Sequence, residues 1–323
     1  MQRVNRLKQI YQTIDNGTAE HKIQNLPKFP KIIEFELTNH CNFQCLMCKT
    51  GVGTSTRERG YMSDEIFEKV IDEINHYPIA LKFVGQGEPL LHPKCIDFIK
   101  KSKENGIIVH LTTNGSLLEE NMIKELIEVK LDSLKFSFQG IDAEGYKTLR
   151  QKDAFEDLLD RIKMLFRLRG DNEFPYITIG TSVTNEKEED IKNFRHLCSK
   201  ICDKVEIGIT TLEFIELEKI KNENTRNAFK CIQEKQNNIK KRYTCCPQIF
   251  DTIAVRWNGD ITACCADLDG VMTLGNILEN SILDCWNSPI ENRYREILAR
   301  CEYEKLELCK DCYDIYGWTY GEN

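Results

Sequence analysis

"EFELTNHCNFQCLMCKT", residues 34–50, places Cys41, Cys45 and Cys48 in a loop that opens where an apolar, β-rich run ends. Offsets of four and three let the sulfurs converge on one corner of a metal cluster. A structural zinc wants four closed ligands, and the only local fourth donor is His40, whose side chain points away from its neighbour's while the extended strand persists. An iron–sulfur cluster held by three thiolates keeps one iron open, and an open metal position is what a catalytic site requires.

The rest of the sequence bounds this reading. A chain of 323 residues with 41% apolar and 29% charged residues can bury one large core and a smaller second one. Its net charge of −7 carries no long basic stripe, which argues against nucleic acid or an anionic membrane surface as partner and favours a small-molecule substrate. The N-terminal stretch lacks a signal-type apolar segment, and no run approaches the roughly 18 apolar residues of a spanning helix, so a cytoplasmic location is expected. Fifteen cysteines without an export signal point to metal-binding thiolates rather than disulfides. Cys95, Cys198 and Cys202 lie in helical patterns and are expected to be small buried side chains.

Strand-like runs at 32–37, 80–85, 107–112, 133–138, 176–183 and 204–210 alternate with amphipathic helical patterns. The helices carry apolar faces such as Phe67, Val70, Ile71 and Ile74, then Leu158, Ile162 and Leu165, then Ile191, Phe194 and Leu197, with Gly106 and Gly170 at expected C-caps. Six such units imply a parallel α/β sheet whose site belongs at the strands' C-terminal ends. A barrel, whole or partial, and an open doubly wound sheet both fit. After residue 213 the composition becomes charged and helix-permissive, then turns to short strands and dense cysteines. The Asn258-Gly259 pair predicts a two-residue hairpin. The expected organisation is an N-terminal extension (1–30), a core (31–215), a helical linker (216–244) and a small hairpin-based domain (245–323) needing a metal staple.

The CxxxCxxC loop after the first strand resembles the signature of the radical S-adenosylmethionine (radical SAM) superfamily. The resemblance implies a partial (β/α)6 TIM-like barrel in which SAM chelates the open iron of a 4Fe-4S cluster held by Cys41, Cys45 and Cys48. Reductive cleavage of SAM then gives a 5′-deoxyadenosyl radical that abstracts a substrate hydrogen. Met47 stands where the family often has an aromatic residue beside the adenine. "GQGEP" (85–89) looks like the family's GGEP motif, so Gly85, Gln86, Gly87 and Glu88 are expected at the methionine amine, with flexible glycines allowing close backbone approach. Asn114 in "TTNG", an Asn-Gly turn in its plainest reading, and Ser137 are expected at the ribose or carboxylate. Gln139, where relatives often carry Asp, is open to SAM or substrate.

The C-terminal cysteines resemble the SPASM domain, or its shortened Twitch form, through the spacing Cys246-x12-Gly259-x4-Cys264, the "GNILENSILDCWNSP" segment and the final Cys309-x2-Cys312. This implies a second, auxiliary 4Fe-4S cluster with four thiolates. Cys245 could replace Cys246, Cys265 could replace Cys264, and Cys301 is a spare. A four-cysteine zinc ribbon is the plain alternative for this segment.

A fully ligated auxiliary cluster suits an electron acceptor, so the resemblance implies a radical SAM oxidoreductase of dehydrogenase type acting on a small polar metabolite such as a sugar or cyclitol alcohol. An electron donor such as flavodoxin or ferredoxin is implied as a partner. The alternatives are a redox-neutral epimerase in which Cys265 returns a hydrogen atom, a peptide-modifying maturase, and a structural Fe-S or zinc protein. Gln139, Glu213 and Cys265 are candidate catalytic residues. Arg150 is a further polar candidate for the pocket.

Overall fold

The computed structural model describes residues 3–14, 17–184, 186–210, 217–220, 223–236, 246–310 and 312. Its centre is a sheet of nine strands: β1 (Ile32–Phe35), β2 (Ala80–Phe83), β3 (Ile108–Thr113), β4 (Ser133–Ser137), β5 (Tyr176–Val183), β6 (Lys204–Ile209), β7 (Thr252–Val255), β8 (Asp260–Thr262) and β9 (Thr273–Asn276). The spatial order is β6-β5-β4-β3-β2-β1-β7-β8-β9, with edges at β6 and β9, so the sheet is an open, partial barrel. Strands β1 to β6 are parallel and alternate with helices, in the number and order the sequence predicts.

Register sorts the side chains into two faces, because successive residues of a strand point to opposite sides. One face is an apolar mat of neighbours: Leu81 beside Val109, Leu111 beside Leu134, Phe136 beside Ile179, and Ile179 beside Val205. These residues join the main core with Phe67, Ile71, Leu158 and Ile162 of the helices. The other face is a polar row, Glu34 beside Lys82 beside His110, and Thr112 beside Lys135 beside Thr178 beside Lys204. A face that keeps its charges inside a sheet is built around something polar, and the cavity described below lies on it.

The N-terminal helix Arg6–Gln12 packs on β3. Arg6 pairs with Asp132 at 3.6 Å, just before β4, and Arg3 with Asp203 at 3.7 Å, just before β6. These carboxylates also accept the Val109 and Ile177 amides at 2.8 and 2.7 Å. The N-terminal segment thus ties down the end of the barrel opposite the cysteine loop.

The hairpin does not stand apart from the core sheet: β7 pairs in parallel with β1, Ile33 opposite Ile253 and Phe35 opposite Val255. A satellite core of Ile249, Phe250, Ala263, Met272, Leu298 and Leu306 surrounds Cys309. Among the described residues no helix is long and apolar enough to cross a membrane.

Three local expectations are corrected. The hairpin loop is Trp257-Asn258-Gly259: the Gly259 amide donates to Arg256 O at 2.9 Å and the Arg256 amide to Asp260 O at 2.8 Å. Only Gly259 of these has positive φ (88°), whereas a two-residue type I′ turn needs it at both positions. Leu197 is 49% exposed, and Cys198, one position on, takes its inward place. Cys202 is buried but lies beyond the helix Glu188–Cys198. Gly106 and Gly170 follow their helices with φ of 73° and 50°, as helix ends require.

Candidate active site

A cavity of about 980 Å³ opens at the C-terminal ends of the barrel strands. Cys41, Cys45 and Cys48 line it, and so does every residue expected at the cofactor: Met47, Gly85, Gln86, Gly87, Glu88, Asn114 and Ser137. Gln139 and Arg150 complete its inner wall, and Lys135, Ser182 and Glu206 carry it along the polar face of the sheet. Glu213 lies outside the described residues.

The cysteine loop is held by backbone bonds. Cys48 N donates to Cys45 O at 3.2 Å, Leu46 N to Leu149 O at 2.9 Å, and Glu88 N to His40 O at 2.8 Å, the last stapling the GQGEP turn to the loop. The His40 ring stacks on Tyr61 at 4.7 Å. Burial pushes the Cys41 thiol up to about 11 and raises Cys45, which Arg150 opposes from 3.3 Å. Thiolates so disfavoured in a dry site become stable when a metal takes their charge, so this donor set fits an iron–sulfur cluster with one position left open.

Gly85 and Gly87 are closely packed by the chain around them. A Cβ on Gly85 would stand 2.6 Å from Glu36 Cγ, and one on Gly87 would stand 2.3 Å from Thr38 O and 2.5 Å from His40 O. The buried Glu88 carboxylate accepts from Thr113 Oγ1 at 2.6 Å, Asn114 N at 2.7 Å and Leu90 N at 3.2 Å, and burial raises its pKa. That leaves about one of its four acceptor sites for a ligand. Asn114 spends its side chain on Asn42 at 2.9 Å and on Ser116, the turn contact that an Asn-Gly sequence permits. Gln139 donates to Thr210 Oγ1 at 2.6 Å and Ser182 O at 3.2 Å, tying the ends of β4, β5 and β6 together.

The second cysteine group also assembles. Cys246 sits within electrostatic reach of Cys309 and Cys312, and Cys264 within reach of Cys246 and Cys312. Burial pushes Cys246 up to about 12 and Cys309 up to about 11. Four thiols, Cys309 buried and the other three half-buried, with one another for company fit an iron–sulfur cluster closed to further ligands. Cys265 hydrogen-bonds with Cys264 and feels the Glu34–Lys82 pair, but it is not part of the cavity wall. Cys301 occupies a left-handed backbone position at φ 59°, and Cys245 lies outside the described residues. Among the described residues no three His, Cys, Asp or Glu side chains close around a single-ion position.

Buried Glu36 and Arg256 and half-buried Arg57, which sequence reasoning passed over, form a charged knot beside the cysteine loop. The available signal was the alternation of Glu34 and Glu36 with Ile33, Phe35 and Leu37 in the first strand run, which marks a polar inner face.

An open α/β barrel with a three-thiol loop at its first strand and a four-thiol group beyond its sixth defines an iron–sulfur enzyme. The chain belongs to the radical SAM superfamily, whose model matches residues 35–198, and a SPASM iron–sulfur cluster-binding domain matches residues 245–313. Its cofactors are accordingly S-adenosyl-L-methionine and 4Fe-4S clusters, one in the core and one auxiliary. A tungsten-containing aldehyde ferredoxin oxidoreductase cofactor-modifying protein of Pyrococcus furiosus is 25% identical over 315 residues, covering 87% of each chain. Among solved structures, SuiB of Streptococcus suis bound to S-adenosylmethionine aligns with TM-score 0.66 at 18% identity, over 86% of this chain and 71% of that one. BtrN in complex with AdoMet and 2-DOIA aligns with TM-score 0.58 at 18% identity, over 88% and 93%. These two likenesses concern the fold.

Proposed function

We propose that the protein is a radical SAM oxidoreductase that abstracts a carbon-bound hydrogen from a small polar metabolite, such as a sugar or cyclitol alcohol, with the auxiliary cluster accepting the second electron. When bound, the cluster and SAM at Cys41, Cys45 and Cys48 supply a 5′-deoxyadenosyl radical. Gly85 and Gly87 let backbone groups approach the methionine end of SAM, and Glu88 offers its spare acceptor site to the amine. Met47, Asn114 and Ser137 border the nucleoside. Arg150 supplies a buried positive charge beside the thiolates, and Gln139 and Glu206 face the substrate end of the cavity.

The observation that carries this reading is the four-thiol group of Cys246, Cys264, Cys309 and Cys312, which leaves a cluster no free iron to bind substrate and suits it to electron transfer. The polar wall of the cavity supports a polar substrate, and a flavodoxin or ferredoxin would supply the electron. Cys265, off the cavity wall, is poorly placed to return a hydrogen atom, which disfavours the epimerase alternative. A peptide substrate is the second reading, supported by the likeness to SuiB, which is also seen bound to its precursor peptide SuiA.

Anaerobic reconstitution tests the reading. The expected result is about eight irons per chain for two cubane clusters, with 5′-deoxyadenosine formed from SAM under reduction. Turnover of candidate alcohols in deuterated water should give an oxidised product without deuterium at carbon; deuterium there would identify an epimerase.

A further inference from the structure

Three segments far apart in sequence meet at one backbone carbonyl, Leu268 O. Arg57 Nε donates to it at 2.7 Å and Gln86 Nε2 at 2.5 Å. The other end of the Gln86 amide accepts from Thr50 Oγ1 and Ser55 Oγ, both at 3.0 Å, in the segment that follows Cys48. Arg57 Nη2 grips both oxygens of the buried Glu36 carboxylate, at 2.8 and 2.9 Å, and the Gln86 backbone amide donates to Glu36 at 3.1 Å. On the far side of Glu36 stands Arg256, 4.0 Å away. Its Nη2 donates to Cys264 O and Cys265 O at 3.1 Å and to Asp267 O at 2.8 Å. The fully buried Asp267 then rigidifies the same loop by accepting from the amides of Gly270, Val271 and Met272 at 3.0, 2.8 and 2.7 Å. Lys49, next to Cys48, pairs with Asp269.

The arrangement has a direction. The loop 264–272 carries Cys264 of the four-thiol group; its ties to the core run to the segment after the three-thiol loop and to the GQGEP turn, while Arg256, beside Glu36, holds it from the hairpin. Gln86 lines the cavity, but its amide is consumed by this junction. Charged and amide groups shut away from water make such bonds because leaving them unmade is costly. We propose that Gln86 and Arg57 are positioning residues that seat the 264–272 loop on the cysteine loop of the core, with Glu36 as their shared anchor, and so hold the two thiol groups at one fixed spacing. This rests on the reading that Cys264 belongs to the auxiliary cluster. The consequence is that electron transfer between the two thiol groups depends on residues that touch neither the iron nor the substrate.

The test uses the reconstituted full-length protein carrying Gln86→Leu, Gln86→Glu or Arg57→Lys. Hydrogen–deuterium exchange of residues 264–272 is expected to accelerate about tenfold in each variant, as for loss of one buried hydrogen bond, with β3 and β4 unchanged. In the doubly reduced protein, the spin-relaxation enhancement that each cluster imposes on the other should weaken in the same variants. Exchange and relaxation both at wild-type levels would overturn the proposal. So would loss of SAM binding with exchange unchanged, which would assign Gln86 to the cofactor. If Gln86→Leu takes up too little iron, Gln86→Glu and Arg57→Lys decide, the former keeping the acceptor for Thr50 and Ser55 while setting an anionic oxygen against Leu268 O in place of the donor. An iron content of about four in the wild type would sink the auxiliary-cluster reading; the exchange arm would still judge the junction.

Discussion

Arg150 donates from Nη1 to Cys45 Sγ at 3.3 Å, with its guanidinium 5.7 Å from the Phe43 ring and 5.9 Å from the Tyr146 ring. The cation is buried, so its field on the thiolate is not screened by water. A cluster bound there gains negative charge on reduction, and a neighbouring cation favours the reduced form. Replacing Arg150 by Gln should lower the reduction potential of the core cluster. A charge-assisted hydrogen bond of about 1.5–3 kcal/mol corresponds to about 60–130 mV for one electron. An EPR-monitored redox titration reads this, and Arg150→Lys should recover part of the shift.

The two thiol groups should separate by substitution. Cys45→Ser is expected to leave about four irons and abolish 5′-deoxyadenosine formation. Cys264→Ser should also leave about four irons but retain reductive SAM cleavage, with loss of oxidised product. Cys265→Ser should keep about eight irons, since the spacing and the neighbours of Cys264 favour that residue as the ligand. Iron and sulfide analysis beside a single-turnover SAM assay distinguishes the three outcomes.

Gly87 is tightly confined by the cysteine loop. In Gly87→Ala the added carbon would press on Thr38 O and His40 O at 2.3 and 2.5 Å, both backbone atoms that cannot swing aside. The GQGEP turn would move off the cysteine loop, breaking the 2.8 Å bond from Glu88 N to His40 O. Overpacking of about 1–3 kcal/mol predicts a loss of SAM affinity of about five- to 150-fold with the fold retained. Anaerobic equilibrium dialysis against SAM measures the affinity, and circular dichroism the fold.

What the sequence made legible was local and periodic. The six strand–helix units could be read because alternating and three-and-four spacings survive in a single chain, and the cysteine spacings could be read because ligand geometry is short-range. The Asn258-Gly259 turn was placed one residue wrong because that dipeptide serves both a two-residue turn and a three-residue loop with glycine at its end. Leu197 was misassigned because a helix face of three apolar residues fits two adjacent registers. The Glu36, Arg57 and Arg256 knot was invisible because its partners stand 21 and 220 positions apart and meet only when β7 docks beside β1. For the same reason nothing local revealed that the hairpin extends the core sheet.

The polar row of the barrel carries its own pH signature at His110. Its ring is buried between Ser133 Oγ at 2.7 Å and Thr112 Oγ1 at 3.1 Å. Burial, reinforced by the charges of Lys82 and Lys135, depresses its pKa to about 3. In the unfolded chain the same imidazole takes a proton near 6.5. Between these values the unfolded state binds the extra proton, so stability present above pH 6.5 is lost as pH falls toward 3, at up to about 1.4 kcal/mol per pH unit. From pH 7 to pH 5 this group alone should remove about 2 kcal/mol. His110→Gln, which keeps one donor and one acceptor for Ser133 and Thr112 but cannot titrate, should flatten the wild-type stability profile by that amount. Urea unfolding of both proteins at pH 7 and pH 5 measures the difference, and equal pH slopes would show that His110 is protonated in the folded state.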